Sequence, residues 1–207
     1  AVARSVGLED VPAYMAAVDP AKGTFAEPEA RPVLVMPRAL ADAPVGEQIF
    51  QLGRTLGKIA LGLHLVDKLA AGELGTLVAA LVRLSVGAKG AAVAVADAPE
   101  DRVAELTHRL ERDLPRRIRR LVDPLAAACV ERPLVKPETL LVGVERGADR
   151  IGLVLSDALD VAVRFAARRE APEAAAAPDL REALRLSGSA RDLLRFAVSE
   201  EREAVGL

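Results

Sequence analysis

The spacing of hydrophobic residues along the chain changes near residue 44. Before that point the apolar residues form two short runs, over 13–18 and 31–36, with the turn-forming residues Asp19, Pro20 and Gly23 between them. Both runs are too short for a helix, and Pro37 ends the second one. We therefore predict a small β segment at the N-terminus, with a buried strand over 32–36.

After residue 44 the apolar positions follow a helical period. Apolar residues recur three or four positions apart, which predicts a helix. The first such helix contains Val45, Ile49, Leu52, Leu56, Ile59 and Leu63. The same periodicity predicts further helices over about 64–71, 73–86, 99–113, 115–130, 136–155, 157–169 and 190–204, with an Ala-, Glu- and Pro-rich exposed loop over 170–178. We expect one mostly helical α+β domain over 1–207, comprising a β segment (10–43), a helical region (44–170) and a loop with a C-terminal helix (171–207).

The composition of the chain argues against nucleic-acid binding and against a membrane span. The chain has 207 residues, of which 51% are hydrophobic but only 2% aromatic, and a net charge of −2. A nucleic-acid-binding domain usually carries a basic excess and stacking aromatics, so we expect no nucleic-acid partner. No apolar run is long enough for a membrane span, no signal peptide is visible, and the lone Cys129 cannot form an intramolecular disulfide. These features favour a cytoplasmic location.

One local exception is a cluster of arginines, Arg109, Arg112, Arg116, Arg117, Arg119 and Arg120. A solvated helix face is the ordinary interpretation, because acidic residues are interspersed with the arginines. A docking patch for an acidic partner is the alternative.

Two segments place charged residues one turn apart on a helix. Residues 50–59 read Phe-Gln-Leu-Gly-Arg-Thr-Leu-Gly-Lys-Ile, which puts Arg54 and Lys58 on one helix face. Residues 145–153 read Glu-Arg-Gly-Ala-Asp-Arg-Ile-Gly-Leu, which does the same for Glu145 and Asp149. Taken singly, these are solvated charges on amphipathic helices.

Taken in order, the segments resemble the glutamate-zincin (gluzincin) metallopeptidases of the HtpX and CAAX-prenyl-protease type. Members commonly read Phe-Val-Leu-Ala-His-Glu-Leu-Gly-His-Ile across the first segment, where two histidines bind zinc and the Glu is the general base. A later Glu-x-x-Ala-Asp motif supplies the third zinc ligand. Residues 13–18 resemble the first strand of the family, 23–26 the segment beside its active site, and 33–40 the strand and turn before its motif helix.

The chain departs from the family at the positions that carry the chemistry. Arg54 and Lys58 stand where the histidines would be, Thr55 stands where the base would be, and Glu145 alone keeps its ligand type. The remaining histidines cannot compensate, since His64 lies nearly three helical turns beyond Arg54. The resemblance, which covers about residues 10–170, therefore implies a zincin-like fold without zinc or another cofactor.

We expect a bacterial-type pseudoenzyme that acts as a protein-binding or scaffolding module, with a peptide segment or a partner protein as its ligand. The resemblance also implies attachment to tetratricopeptide repeats upstream. A purely structural domain that packs on those repeats, and an enzyme of unrecognised chemistry, are the alternatives. An extended peptide would pair with an edge strand in a groove lined by Phe25, Val33, Leu34, Val35 and Met36.

The loss of zinc also predicts an electrostatic replacement. Arg54 and Lys58 together carry the +2 charge of the metal, so we expect an ion pair, foremost between Arg54 and Glu145. Asp149 would then take Lys58 or a backbone donor.

Overall fold

The computed structural model describes residues 1–20, 23–27, 31–95, 98–132, 136–173 and 179–205, and only the backbone of 92–94 and 205. These residues are mostly helical, with a small three-stranded sheet near the N-terminus, which confirms the predicted α+β class. Their contacts divide the chain into two compact units. The first combines Ala1–Leu65 with Gly143–Leu207, and the second is Val66–Val142. The single domain over 1–207 stays a prediction.

The N-terminal part of the first unit forms a short helix and a sheet. The helix is α1 (Val2–Ser5), and the strands are β1 (Ala13–Ala16), β2 (Phe25–Glu27) and β3 (Val33–Pro37). The strand order is β1-β3-β2, with β1 parallel and β2 antiparallel to β3. The predicted strands over 13–18 and 32–36 are confirmed, and β2 is an additional strand that the hydrophobic pattern did not define.

The first unit continues into a 3-10 helix (Arg38–Asp42) and α2 (Val45–Ala60), and after the second unit it contains α8 (Leu159–Glu170), α9 (Leu180–Leu186), α10 (Gly188–Ala197) and α11 (Glu200–Val205). Its main core joins α2, α8 and α10 through Phe50, Val163 and Leu193. A second cluster packs the sheet, through Ala26 and Leu34, against Leu56 and Ile59 of α2. The sheet and α8 therefore both fix the position of α2.

The second unit is helical. It contains α3 (Ala71–Val86), α4 (Ala88–Ala94), α5 (Glu100–Asp113) and α6 (Arg116–Glu131), which confirms three predicted helices and adds α4. Ala80, Val82, Val103 and Ala126 lie at the centre of its core. The helix α7 (Pro137–Ser156) contributes residues 137–142 to this unit and its remaining residues to the first unit.

Two predicted helices are wrong in extent. Only a short 3-10 turn (Val66–Lys68) forms within 64–71, because these residues are largely exposed and have no buried face to stabilise a helix. The predicted C-terminal helix over 190–204 is two helices, α10 and α11. They separate at Ser199, whose hydroxyl donates a hydrogen bond to the Phe196 carbonyl in competition with the helical backbone. The helix α9 was not predicted.

Glycine brings α2 and α7 into close contact. A Cβ at Gly152 of α7 would lie 2.7 Å from Cγ of Arg54 and 2.8 Å from the backbone oxygen of Phe50. Gly53 and Gly57 of α2 are similarly close to α7, because a Cβ on either would lie 2.9 Å from Leu155 or Ile151. The absence of side chains at these three positions allows the two helices to bring their charged residues together.

Candidate functional site

Helix α2 buries two cations one turn apart. Arg54 is 4% exposed and Lys58 is 6% exposed, and both point to the side on which α7 lies. A buried cation is costly unless a carboxylate pairs with it. The nearby groups must therefore provide the compensating charge.

Helix α7 supplies that charge through Glu145 and Asp149. The guanidinium of Arg54 donates to both carboxylates, at 2.6 Å from Nη2 to Oε2 of Glu145 and 2.5 Å from Nε to Oδ1 of Asp149. Lys58 Nζ donates to Oε1 of Glu145. The predicted ion pair between Arg54 and Glu145 is thereby confirmed, and Lys58 joins Glu145 in the same cluster.

Arg169 of α8 completes the cluster and was missed by the sequence analysis. It lies 2.9 Å from Glu145 and donates two hydrogen bonds of 2.8 Å to the fully buried Asp149. The ion-pair partners of Asp149 are thus Arg54 and Arg169, whereas the sequence predicted Lys58 or a backbone donor. The sequence did contain an indication of its burial. Arg169 follows Phe165 by four residues and Ala166 by three, so the helical period places it on the buried face of α8.

We name Arg54, Lys58, Glu145, Asp149 and Arg169 the ion cluster. Burial raises the pKa of Glu145, but the three neighbouring cations outweigh that effect and lower the pKa from 4.5 to about 2. Burial likewise lowers the pKa of Arg169, but hydrogen bonds and attraction from Asp149 and Glu145 raise it overall. Glu145 and Arg169 are therefore charged at neutral pH. The ring of Phe165 lies against it, 4.7 Å from the Arg54 guanidinium carbon.

Thr55, at the position of the general base in the resemblance, participates in a hydroxyl network. Its Oγ1 lies 2.6 Å from Oγ1 of Thr24 and donates to the Thr24 carbonyl at 3.0 Å. The Thr24 hydroxyl is also 2.6 Å from the Gln51 carbonyl. This network fixes the loop before β2 against α2. A threonine hydroxyl engaged in this way is a structural contact and has no basicity suited to activating water.

The predicted peptide-binding edge is wrong for Val33–Met36. These residues belong to β3, which hydrogen-bonds to β1 on one side and β2 on the other. A central strand has no free row of backbone groups to offer an added peptide. Phe25, in contrast, lies in β2, which is an edge strand of the sheet, and its side chain is half-buried. The side chains of Val33, Leu34, Val35 and Met36 therefore serve the sheet and its core, and no groove runs along their backbone.

A cavity of about 480 Å³ lies beside the ion cluster in the first unit. The 3-10 helix, α2 and α8 form most of its wall, with Leu40, Gln51, Phe165, Arg168 and Arg169 among the lining residues. The wall is mixed in character, with proline, leucine and phenylalanine surfaces next to two guanidinium groups. Its size falls in the range of pockets that hold small ligands or single peptide side chains.

Neither a metal-binding group nor a membrane-spanning helix is present in the part of the chain that the structure describes. No group of three or more His, Cys, Asp or Glu side chains there is arranged to hold a metal ion. No helix among the described residues is both long and apolar enough to cross a membrane. No family model, curated protein or solved structure matches this chain.

Proposed function

We propose that this chain is a non-catalytic, pseudo-metallopeptidase-like domain that acts as a protein-interaction module. The observation that carries the proposal is the ion cluster. Arg54 and Lys58, which stand at the two histidine positions of the gluzincin motif, contact Glu145, which stands at the third-ligand position. The family motif requires the side chains at these three positions to converge, and they do.

The chemistry of the cluster argues against hydrolysis at this site. Arginine and a charged lysine have no lone pair for a metal, and both carboxylates are engaged by cations at hydrogen-bonding distance. A water molecule at this position would have neither a Lewis acid nor a general base, since Thr55 is committed to Thr24.

The neighbouring cavity is our candidate for the binding site. It has apolar walls for a side chain and guanidinium groups at its margin, so a short peptide segment of a partner protein fits its chemistry. The backbone of β3 is paired on both sides, so this cavity is a better candidate than a groove along Val33–Met36.

A purely structural role is the second candidate. Asp149 is fully buried and the ion cluster links three helices, α2, α7 and α8, as a packed structural element does. On that account the cavity would have no ligand.

Restoring zinc ligands tests the peptidase-like origin. We expect Arg54→His with Lys58→His to bind about one zinc ion per chain, with Glu145 as third ligand. Because Arg169 would still compete for Glu145, a second variant adds Arg169→Gln and should bind zinc more tightly. Metal content after gel filtration is the measurement, with the wild-type chain and Arg169→Gln alone as controls. Folded variants that take up no zinc would contradict the motif alignment.

Filling the cavity tests the binding role. We expect the wild-type chain to enrich a common sequence from a displayed peptide library. Ala39→Trp, which places an indole at the cavity wall from an exposed position, should abolish that enrichment. Ala60→Trp, at an exposed position at the end of α2, is the matched control and should leave it unchanged. No enrichment by the wild-type chain would favour the structural role, and equal enrichment by all three proteins would show that the peptide does not bind in the cavity.

A further inference from the structure

Helix α6 of the second unit presents an apolar row to solvent. Ile118, Leu121 and Leu125 are 41%, 61% and 67% exposed, and their spacing of three and four residues places them on one face of the helix. A different face holds α6 in the core, through Ala126 and its half-buried neighbours Val122, Cys129 and Val130. The exposed row is therefore additional to what the fold of this unit needs.

Arginines on the exposed side of α6 lack carboxylate partners among the described residues. Arg117 and Arg120 are the ones nearest to the apolar row, whereas Arg116, two residues before Ile118, projects from the opposite side of the helix. Arg116, Arg117 and Arg120 are exposed, and none of them forms an ion pair with any described residue. Arg119 instead turns back and donates to the backbone carbonyl of Glu111. The free arginines occupy the first turns of the helix, where the helix dipole disfavours positive charge, and no acidic residue is present in the first turn. The arrangement does not serve the stability of α6.

We propose that the exposed side of α6, comprising Ile118, Leu121 and Leu125 with Arg117 and Arg120, binds the surface of an anionic lipid bilayer. Guanidinium groups pair with lipid phosphates, and the aliphatic row enters the boundary between headgroups and acyl chains. This is attachment in the plane of the surface and requires no spanning helix. It is independent of the function proposed for the first unit.

The size and charge of the face favour a bilayer over a protein partner. A stable protein interface buries about 800 Å² on each partner, which three aliphatic side chains, already partly buried, do not supply. Two copies of this face placed side by side would also bring like-charged arginines together. A lipid surface has no such size threshold, because each arginine adds its own attraction to an extended negative layer.

Vesicle sedimentation tests the proposal on the full chain. We expect binding to vesicles of phosphatidylcholine mixed with phosphatidylglycerol, weakening in high salt, and little binding to phosphatidylcholine alone. Arg117→Gln with Arg120→Gln should weaken binding about thirtyfold, since each arginine near an anionic surface contributes about 1 kcal/mol. Leu121→Ser with Leu125→Ser should also weaken it, although every arginine is retained.

Matched substitutions in the first unit provide the control. Arg195→Gln with Val198→Ser also removes an exposed arginine and an exposed aliphatic side chain, and should leave vesicle binding unchanged. The four α6 substitutions are at exposed positions, so unfolding midpoints close to wild type should accompany the loss of binding. The proposal is overturned if the wild-type chain does not bind the anionic vesicles, or if the control pair weakens binding as much as the α6 pairs. A doubled mass in light scattering that Leu121→Ser with Leu125→Ser abolishes would overturn it in favour of self-association.

Discussion

Replacing Asp149 by asparagine should destabilise the first unit strongly. The carboxylate is fully buried and accepts hydrogen bonds of 2.5 Å from Arg54 and of 2.8 Å from two nitrogens of Arg169. Asparagine keeps the shape but removes the charge, and it turns one acceptor into a donor that faces guanidinium N–H groups. Of the two carboxylates in the ion cluster, only Glu145 would then keep its charge. Disruption of a buried pair of this kind costs about 3–5 kcal/mol in the free energy of unfolding.

Urea denaturation of Asp149→Asn followed by circular dichroism measures this cost, and Asp192→Asn is the matched control. Asp192 accepts a similar two-nitrogen contact from Arg150, at 3.0 and 3.1 Å, but the Arg150 side chain is 37% exposed. Solvent screening limits the contribution of such a pair to about 1 kcal/mol at most. Equal losses in the two variants would refute the claim that the ion cluster is an enclosed, stabilising element.

Two further predictions concern the same region. Because the pKa of Glu145 falls from 4.5 to about 2 on folding, its charge contributes about 3 kcal/mol of stability, which is fully present above pH 4.5 and lost as the pH falls towards 2. Stability measured between these values should show this decline in the wild-type chain and a weaker one in Glu145→Gln; an identical decline in both would assign it to other groups. Gly152→Ala should cost about 1–3 kcal/mol, because its Cβ would overlap Arg54 and the Phe50 backbone, whereas Gly147→Ala on the same helix meets nothing within 4 Å and should be neutral or stabilising by up to about 1 kcal/mol. Thermal denaturation compares the two glycine variants, and equal effects would mean that α2 and α7 are not closely packed at Gly152.

The parts of the site that local sequence could predict are those on α2 and α7. In each segment two charged residues lie one turn apart, so the helical period alone puts them on a common face. The opposite signs of the two pairs then predict their contact, which the structure shows for Arg54 and Glu145.

Arg169 and the place of β3 could not be predicted in the same way. The sequence of α8 shows which face is buried, but it does not show which carboxylates lie opposite that face. Likewise, the apolar run over 32–36 indicates a strand but not its neighbours, because strand order is set by contacts between distant segments. Both features depend on pairing between segments that are far apart in the sequence.

Arg169 links the ion cluster to the cavity, and this limits how the cavity can recognise a ligand. A ligand carboxylate that approached Arg169 would compete with Glu145 and Asp149, which already lie within 2.9 Å of it. Arg168 also lines the cavity, but its side chain is about half exposed and its only ion pair among the described residues, with Glu47, is long at 3.7 Å. A pair of that length and exposure is weak and easily exchanged. Charge recognition at the cavity should therefore depend on Arg168, while Arg169 holds the cavity wall in place through the cluster.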